Sequence, residues 1–337
     1  MAKDINYLGV DIGASSIKIV QLKNEGGRAR LVTYGYSEHQ AVSDGSILDN
    51  PDAAGRELAE LCKKAGTTTK QAITGLPMAS VFSTLFTLSD LPDKELEKQI
   101  LEKVKKLAPI PEEDLVLDWK KAGEPVEKAV RASVTAASKK MIDKYIKIFK
   151  IAGLQLLSLE TEAFAAIRAL LGKDKSPALI VDIGSMKTNV LVVKEGVPLI
   201  HRTVKAGGND IGNFLAEKMK IPMEKAEEIK KNLSLFNIEG SDFLVQKLIA
   251  PIVNEAKYCH ELYAQQYNTE RVEKMVLTGG SALLLGAPEA LQKALGYRIF
   301  IGDPWARVVY PDELRPVLDK IGSRFSVAIG LAMREIG

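Results

Sequence analysis

The sequence predicts an α/β protein of two similar halves facing each other across a cleft, with a small α+β unit inserted in the first half. Three observations predict it. An apolar run, Asp-Ile-Gly, a short polar turn and a second apolar run occur at residues 7–20 and again at 178–193. A Thr-Gly-Gly-Ser loop at 278–281 follows a further apolar run. Between the repeats, residues 78–158 read as strand, helix, strand, strand, helix. A chain of 337 residues exceeds the usual span of one core, so two domains are expected.

Each repeat reads as a β-hairpin. In the first, Tyr7 to Gly13 leads through Ala14-Ser15-Ser16 into Ile17-Lys18-Ile19-Val20; in the second, Ala178 to Gly184 leads through Ser185 to Thr188 into Val190 to Val193. Glycine lets the backbone bend tightly, and the amides at the tip point inward. One such hairpin is common; two opening the two halves of a chain point to duplication, their tips facing across a cleft.

The remaining elements follow in order. Helical spacing over 52–65 places Leu58, Leu61, Cys62 and Ala65 together, and 71–76 reads as a strand. In the insert, a strand at 81–88 precedes a helix opened by Asp93, with Leu96, Ile100, Val104 and Leu107 on one face. Pro109 and Pro111 stop it. Strands at 114–121 and 129–137 and a helix at 141–152, ended by Gly153, complete the insert. Beyond the second hairpin come a strand at 197–204, a Gly207-Gly208-Asn209-Asp210 turn, and helices over about 210–219, 223–233 and 240–267. A strand at 275–277 enters the Gly-Gly-Ser loop, and a helix from Ser323 is expected to return onto the first half.

Composition narrows the function classes. Hydrophobic residues at 46% and charged residues at 26% describe an ordinary globular chain. A net charge of +3 and 6% aromatics offer neither the basic surplus nor the stacking platforms of a nucleic-acid binder. Cys62 and Cys259 lie in helical patterns far apart, as buried thiols rather than a redox or metal pair, and His39, His201 and His260 stand in unrelated contexts. No signal-peptide core and no apolar run of membrane-spanning length is found, so a cytoplasmic protein without direct membrane insertion is expected.

The candidate chemistry is nucleotide binding. Amides, a cation and a few side chains must meet the charge of a triphosphate such as ATP. Gly13, Ala14, Ser15 and Ser16 form a turn small enough to approach the β-phosphate, with Lys18 supplying positive charge. Gly184, Ser185 and Thr188 stand where the γ-phosphate would lie. Asp11 and Asp182, at the strand ends, suit contacts to Mg²⁺ through its water. Gly279, Gly280 and Ser281, with Leu284 behind them, offer bare backbone for an adenine ring. Glu227, Lys230 and Ser234 share a helix face and could reach the ribose and base, although taken alone this spacing favours a solvated charged face. Gly208, in the 207–210 turn, is assigned to the same site.

These segments, in order, resemble the set used by the actin/Hsp70/sugar-kinase superfamily. They correspond to phosphate-1 (11–18), connect-1 (about 160–171), phosphate-2 (182–188), adenosine (279–284) and connect-2 (about 323–335). The resemblance implies an actin-like ATPase fold, two RNase H-like domains flanking a nucleotide cleft that holds ATP or ADP with Mg²⁺. Domain 1A would comprise 1–77, 159–177 and 322–337; 1C, the insert, 78–158; 2A, 178–204 and 273–321; and 2B, 205–272. Small residues at Ala163, Ala165, Ala166, Ala169, Ala328, Gly330 and Ala332 permit the connect helices to cross closely, as core packing would also require.

Within that superfamily, the opening Val10-Asp11-Ile12-Gly13-Ala14-Ser15-Ser16-Ile17-Lys18 resembles the FtsA and PilM families, and the insert before connect-1 matches the subdomain that both carry. Pro109 to Trp119 and Leu159 to Ala169 are similar to the pattern of the type IV pilus assembly protein PilM family. FtsA would be expected to add a C-terminal amphipathic helix, which is not seen before Gly337. The resemblance implies an adaptor peripheral to the inner membrane that binds the N-terminal cytoplasmic peptide of PilN. It would link PilN to the pilus motor ATPase or platform protein, and it also admits self-association. Phosphate-2 carries Met186 where bacterial actins run glycines, so slow hydrolysis at most is expected, with Glu162 the candidate to orient a water and Glu160 the second. A filament-forming FtsA-like protein and a small-molecule kinase of the same fold are the alternatives.

Overall fold

Strand order shows the duplication directly. The computed structural model describes residues 6–38, 47–122, 129–230, 248–267, 271–283 and 286–336. In the first half, β1 (Asn6–Ile12), β2 (Ser16–Glu25), β3 (Arg28–Glu38), β4 (Gln71–Leu76) and β8 (Gln155–Thr161) lie in the order β3-β2-β1-β4-β8. In the second, β9 (Ala178–Ile183), β10 (Thr188–Lys194), β11 (Val197–Val204), β12 (Lys274–Thr278) and β13 (Arg298–Ile301) lie in the order β11-β10-β9-β12-β13. In both sheets the first three strands form an antiparallel meander and the last two join in parallel.

The register of the hairpins is also the same. Asp11 pairs with Lys18 and Ile12 with Ile17; Asp182 pairs with Asn189 and Ile183 with Thr188. β1 and β9 are buried on both faces, which is why both read as continuous apolar runs.

Helices cover each sheet. Helices α1 (Pro51–Ala65) and α3 (Lys139–Ile151) lie on one face of the first sheet, where Leu58, Tyr145, Ile148 and Phe149 meet Leu8, Val10 and Ile19. α1 starts on Asn50, whose side chain accepts from Ala53 N, and ends at left-handed Gly66. On the second sheet lie α5 (Gly208–Met219), α6 (Met223–Lys230), α7 (Ala250–Gln266) and α8 (Ala287–Leu295). No described helix is long and apolar enough to cross a membrane. Cys62 and Cys259 are buried and unpaired; burial pushes their thiols up to about 11 and about 12.

The insert is a three-stranded antiparallel sheet, β5 (Val81–Ser89), β7 (Ala129–Ser138) and β6 (Leu115–Lys121), backed by α2 (Asp93–Leu107). Leu96, Ile100 and Val104 of α2 are buried, but Leu107 is 58% exposed, because the helix ends there and Ala108 is already extended. At the C-terminal end of the expected 78–158 unit, α3 packs against α1 as well as against Ala137 of β7, and 155–158 belong to β8 of the first sheet.

The chain also returns to the first half earlier than Gly322. Two residues, β14 (Val308–Val309), extend the first sheet beside β3, and Trp305 and Leu318, the latter on α9 (Arg315–Ile321), sit in that half's core with Phe325. α10 (Ser326–Ala332) follows and crosses α4 (Glu162–Leu170). A Cβ on Gly330 would lie 1.9 Å from Ala165 O, and one on Gly9 2.0 Å from Ala328 O, so these helices and β1 touch backbone to backbone. Residues 207–210 are the start of α5 rather than a free turn: Gly207 N donates to Asp210 Oδ2 at 2.8 Å.

Candidate functional site

Both hairpin tips close in the same way. Gly13 N donates to Ser16 O at 2.9 Å, and Gly184 N donates to Lys187 O at 3.0 Å. Between the two tips runs a cleft of about 2020 Å³. A pocket for a drug-sized ligand is about 300–1,000 Å³, so this cleft exceeds what one nucleotide fills.

From the first half, Asp11, Gly13, Ala14, Ser15, Ser16, Lys18 and Glu162 line the cleft. From the second come Asp182, Gly184, Ser185, Gly208, Glu227, Lys230, Gly279, Gly280 and Ser281. Lys18 Nζ lies 3.0 Å from Asp11 Oδ2, which holds the lysine at the strand end. Ser281 N donates to Ile183 O at 3.1 Å, and Gly279 N and Thr278 Oγ1 both donate to Ser323 O, at 3.0 and 2.8 Å. The Gly-Gly-Ser loop is thereby fixed to both the second tip and the segment entering α10. At Gly279 φ is +92°, and a Cβ would lie 2.4 Å from Asp182 Oδ1, so glycine is required twice over.

Glu227 and Lys230 form the i,i+3 pair expected of a charged helix face, yet the pair is turned inward. Lys230 Nζ donates to Glu227 Oε1 at 2.6 Å and to Gly208 O at 3.1 Å, docking α6 on the start of α5. Ser234 and Leu284 lie outside the described residues.

Thr188 is not at the cleft. It is fully buried, and its hydroxyl donates to Ala206 O at 2.7 Å. Alternation along the strand explains why: Thr188 occupies the register position of Ile17, a core residue, while its neighbour Asn189 occupies that of Lys18. Asn189 lines the cleft, bonds the Asp182 carboxyl, and its Oδ1 accepts from Thr203 Oγ1 at 2.9 Å. Counting seven residues on from each Asp would have found it.

The carboxyls divide by environment. Glu160 is held by Arg168 in a two-pronged pair at 2.8 and 2.9 Å, and Arg168 also donates to Gly330 O, so this carboxylate locks the connect crossing. Glu162 is 8% exposed, and its Oε2 accepts from Met78 N at 3.3 Å. Burial, then the charges of Asp11 and Asp182, push Glu162 up to about 8. Burial, then Asp11, push Asp182 up to about 6, against the pull of Lys18, Asn189 and Lys187. Three acidic groups thus crowd one point of the cleft.

Several lining residues were not among those assigned to the site from the sequence. Lys187 sits in the second tip where the first has Ser16, close enough to act on both Glu162 and Asp182. Arg324 reaches Glu38 Oε1 at 3.1 Å and lies 5.2 Å from the centre of the Tyr36 ring, beside Gly280. No local signal marks Tyr36 or Arg324; only the sheet brings chain positions 36 and 324 together.

The cell division protein FtsA of Streptococcus pneumoniae serotype 2 (strain D39 / NCTC 7466) is 23% identical over 345 aligned residues, covering 89% of this chain and 76% of FtsA. A chain of the PilM-PilN type IV pilus biogenesis complex superposes with a TM-score of 0.85 at 23% identity, covering 98% of each chain. MreB 5 of Spiroplasma citri bound to AMPPNP superposes with a TM-score of 0.53 at 13% identity, covering 98% of this chain and 96% of the other. The fold is therefore the actin-like ATPase fold. The profile described as "Type IV pilus assembly protein PilM" matches residues 9–336, a span that includes both hairpin tips, the insert and the returning C-terminal segment. This chain belongs to the type IV pilus assembly protein PilM family, which is related to FtsA.

Proposed function

We propose that this chain is an ATP-binding scaffold of the pilus inner-membrane assembly complex that clasps the N-terminal cytoplasmic peptide of PilN and links it to the pilus motor. The observation that carries the reading is the full-length likeness to a chain solved in a PilM-PilN complex, over 98% of both chains. The nucleotide part is supported by the opposed tips and by the AMPPNP bound to the MreB relative. Gly13–Ser16 and Lys18 would face the β-phosphate, and Gly184, Ser185 and Lys187 the terminal one. Gly279, Gly280 and Arg324 would face the base, and Glu227 the ribose.

Mg²⁺ fits the donor set. Asp11, Asp182 and Glu162 crowd together, and a divalent cation would relieve their repulsion. Mg²⁺ keeps several of its own waters, so these carboxylates would hold it through them. Met186 lines the cleft beside the second tip, consistent with slow hydrolysis at most. The protein would lie at the cytoplasmic face of the inner membrane through PilN.

Isothermal titration with a synthetic N-terminal PilN peptide, with and without MgATP, tests this. Saturable one-to-one binding is expected. Tight MgATP binding with no peptide binding in either state would overturn the adaptor role. The likeness to FtsA would then favour a filament-forming protein, detectable by light scattering with ATP alone.

A further inference from the structure

The end of the first sheet farthest from the cleft is strongly basic. β2 runs from Ser16, at the first tip, to Glu25, a strand of ten residues that spans about 33 Å. There the ends of β2 and β3 carry Lys23, Arg28 and Arg30, and the C-terminal turns of α1 and α3 bring Lys63, Lys64 and Lys150. Lys70 stands just before β4. Hydrogen bonds hold these pieces side by side. Thr33 Oγ1 donates to Ala65 O at 2.6 Å, Thr68 N to Gln21 Oε1 at 2.8 Å, and Gln155 N to Lys70 O at 2.7 Å.

All of these basic residues are exposed. Glu25 pairs with Arg30 at 2.6 Å and with Lys23 at 3.6 Å, while Arg28, Lys63, Lys64, Lys70 and Lys150 form no ion pair among the described residues. A helix C-terminus favours cations, which accounts for Lys63, Lys64 and Lys150. It does not account for Lys23, Arg28, Arg30 and Lys70 at the same end. The duplication supplies a comparison. The corresponding turn of the second sheet reads Lys194-Glu195-Gly196-Val197, and Lys274, at the start of β12, is paired with Asp174. Charges of both signs alternate there, whereas the first half gathers one sign. The whole chain has a net charge of +3, so the rest of the molecule is left negative and the field is polarised toward this end.

We propose that this end is a docking surface for an anionic lipid bilayer, held by charge and without insertion. A cluster of Lys and Arg of this size is what acidic headgroups attract. The turn that projects from it is Gly26-Gly27, where an added Cβ would meet nothing within 4 Å, so its tip has no apolar side chain to bury in lipid. No aromatic ring stands among the basic residues to stack on bases, which argues against a single-stranded nucleic acid. The choice of a bilayer over a duplex or an acidic protein rests on the inner-membrane placement proposed above, to which it adds a contact made by this chain itself. In that orientation the hairpin tips point away from the bilayer, and the cleft stays open to nucleotide.

The test is sedimentation of the full chain, without PilN, with vesicles of phosphatidylglycerol and phosphatidylcholine in equal parts, against phosphatidylcholine alone. Sedimentation with the anionic vesicles only is expected, weakening as salt rises. Arg28→Glu with Lys70→Glu should lower the partition about thirtyfold or more, the worth of two basic residues at an anionic surface. Lys94→Glu with Lys98→Glu, an equal change of charge on exposed positions of α2, should leave it within about threefold. Melting temperatures check both pairs, and Arg28→Gln with Lys70→Gln should repeat the loss in smaller measure if the reversed pair melts lower. No sedimentation with the anionic vesicles would overturn the proposal. So would equal losses in the two reversed pairs, which would show an effect of net charge rather than of this end. Tighter binding to a labelled DNA duplex than to the vesicles, lost in the Arg28 and Lys70 pair, would assign the surface to nucleic acid instead. Because PilN is absent, failure here leaves the PilN reading standing, and failure of the peptide titration leaves this result standing.

Discussion

Gly330→Ala puts the crossing of α10 and α4 to the test. The added Cβ would stand 1.9 Å from Ala165 O, 2.5 Å from its carbonyl carbon and 2.9 Å from its Cα. Ordinary contact begins near 3.4 Å, so α10 and α4 must part by about 1.5 Å, the difference between those two distances. All three atoms are backbone, and no flexible side chain can yield. In an open helix the same substitution would stabilise by about 1 kcal/mol. Here overpacking costs about 1–3 kcal/mol, and losing the Arg168 bond to Gly330 O adds roughly 1 kcal/mol. The net expectation is a loss of about 2 kcal/mol, read as a lower urea midpoint at unchanged slope. A midpoint at or above that of the unsubstituted chain would refute the backbone-contact account.

The register of the second hairpin predicts opposite outcomes at adjacent positions. Thr188→Val should cost roughly 1–2 kcal/mol of stability, by stranding Ala206 O, and leave nucleotide affinity unchanged. Asn189→Ala should weaken MgATP binding about three- to tenfold, by freeing the Asp182 carboxyl; the reverse pattern in calorimetry would sink the register assignment. His201 yields a pH prediction: burial first, then Lys187 and Arg202, hold its imidazole at about 4 rather than the ordinary 6.5. The folded protein keeps it neutral while the unfolded chain takes a proton, so its contribution is complete above pH 6.5 and is lost as pH falls toward 4. The loss reaches about 3 kcal/mol, as an upper bound. Urea unfolding at pH 7 and pH 4.5 should show His201→Gln with the shallower acid loss, and identical losses would refute the assignment.

Both tips and the Gly-Gly-Ser loop were legible because their signals are local: Asp-Ile-Gly after an apolar run needs nothing distant to be read. Thr188 was misplaced by reading the motif along the chain instead of across the strands. With Asp11 set on Asp182, the alternation that buries Ile17 also buries Thr188. β14 is two residues long and exists only because β3 offers an edge, so no period could reveal it. Tyr145 fits a helical apolar face, and only the fold places it beside the cleft.

The return of residues 304–336 to the first sheet bears on how the chain is assembled during synthesis. The strands of the second sheet all lie within 178–301, so that half can close its core as soon as it has been made. The first half cannot. Val20, Leu22 and Ala29 share their cluster with Trp305, Phe325 and Ile329, and Val308-Val309 supply its outer strand. The half translated first is therefore completed last, and until the C-terminal segment arrives it presents an uncovered sheet face and a bare β3 edge, the surfaces a nascent-chain chaperone would recognise.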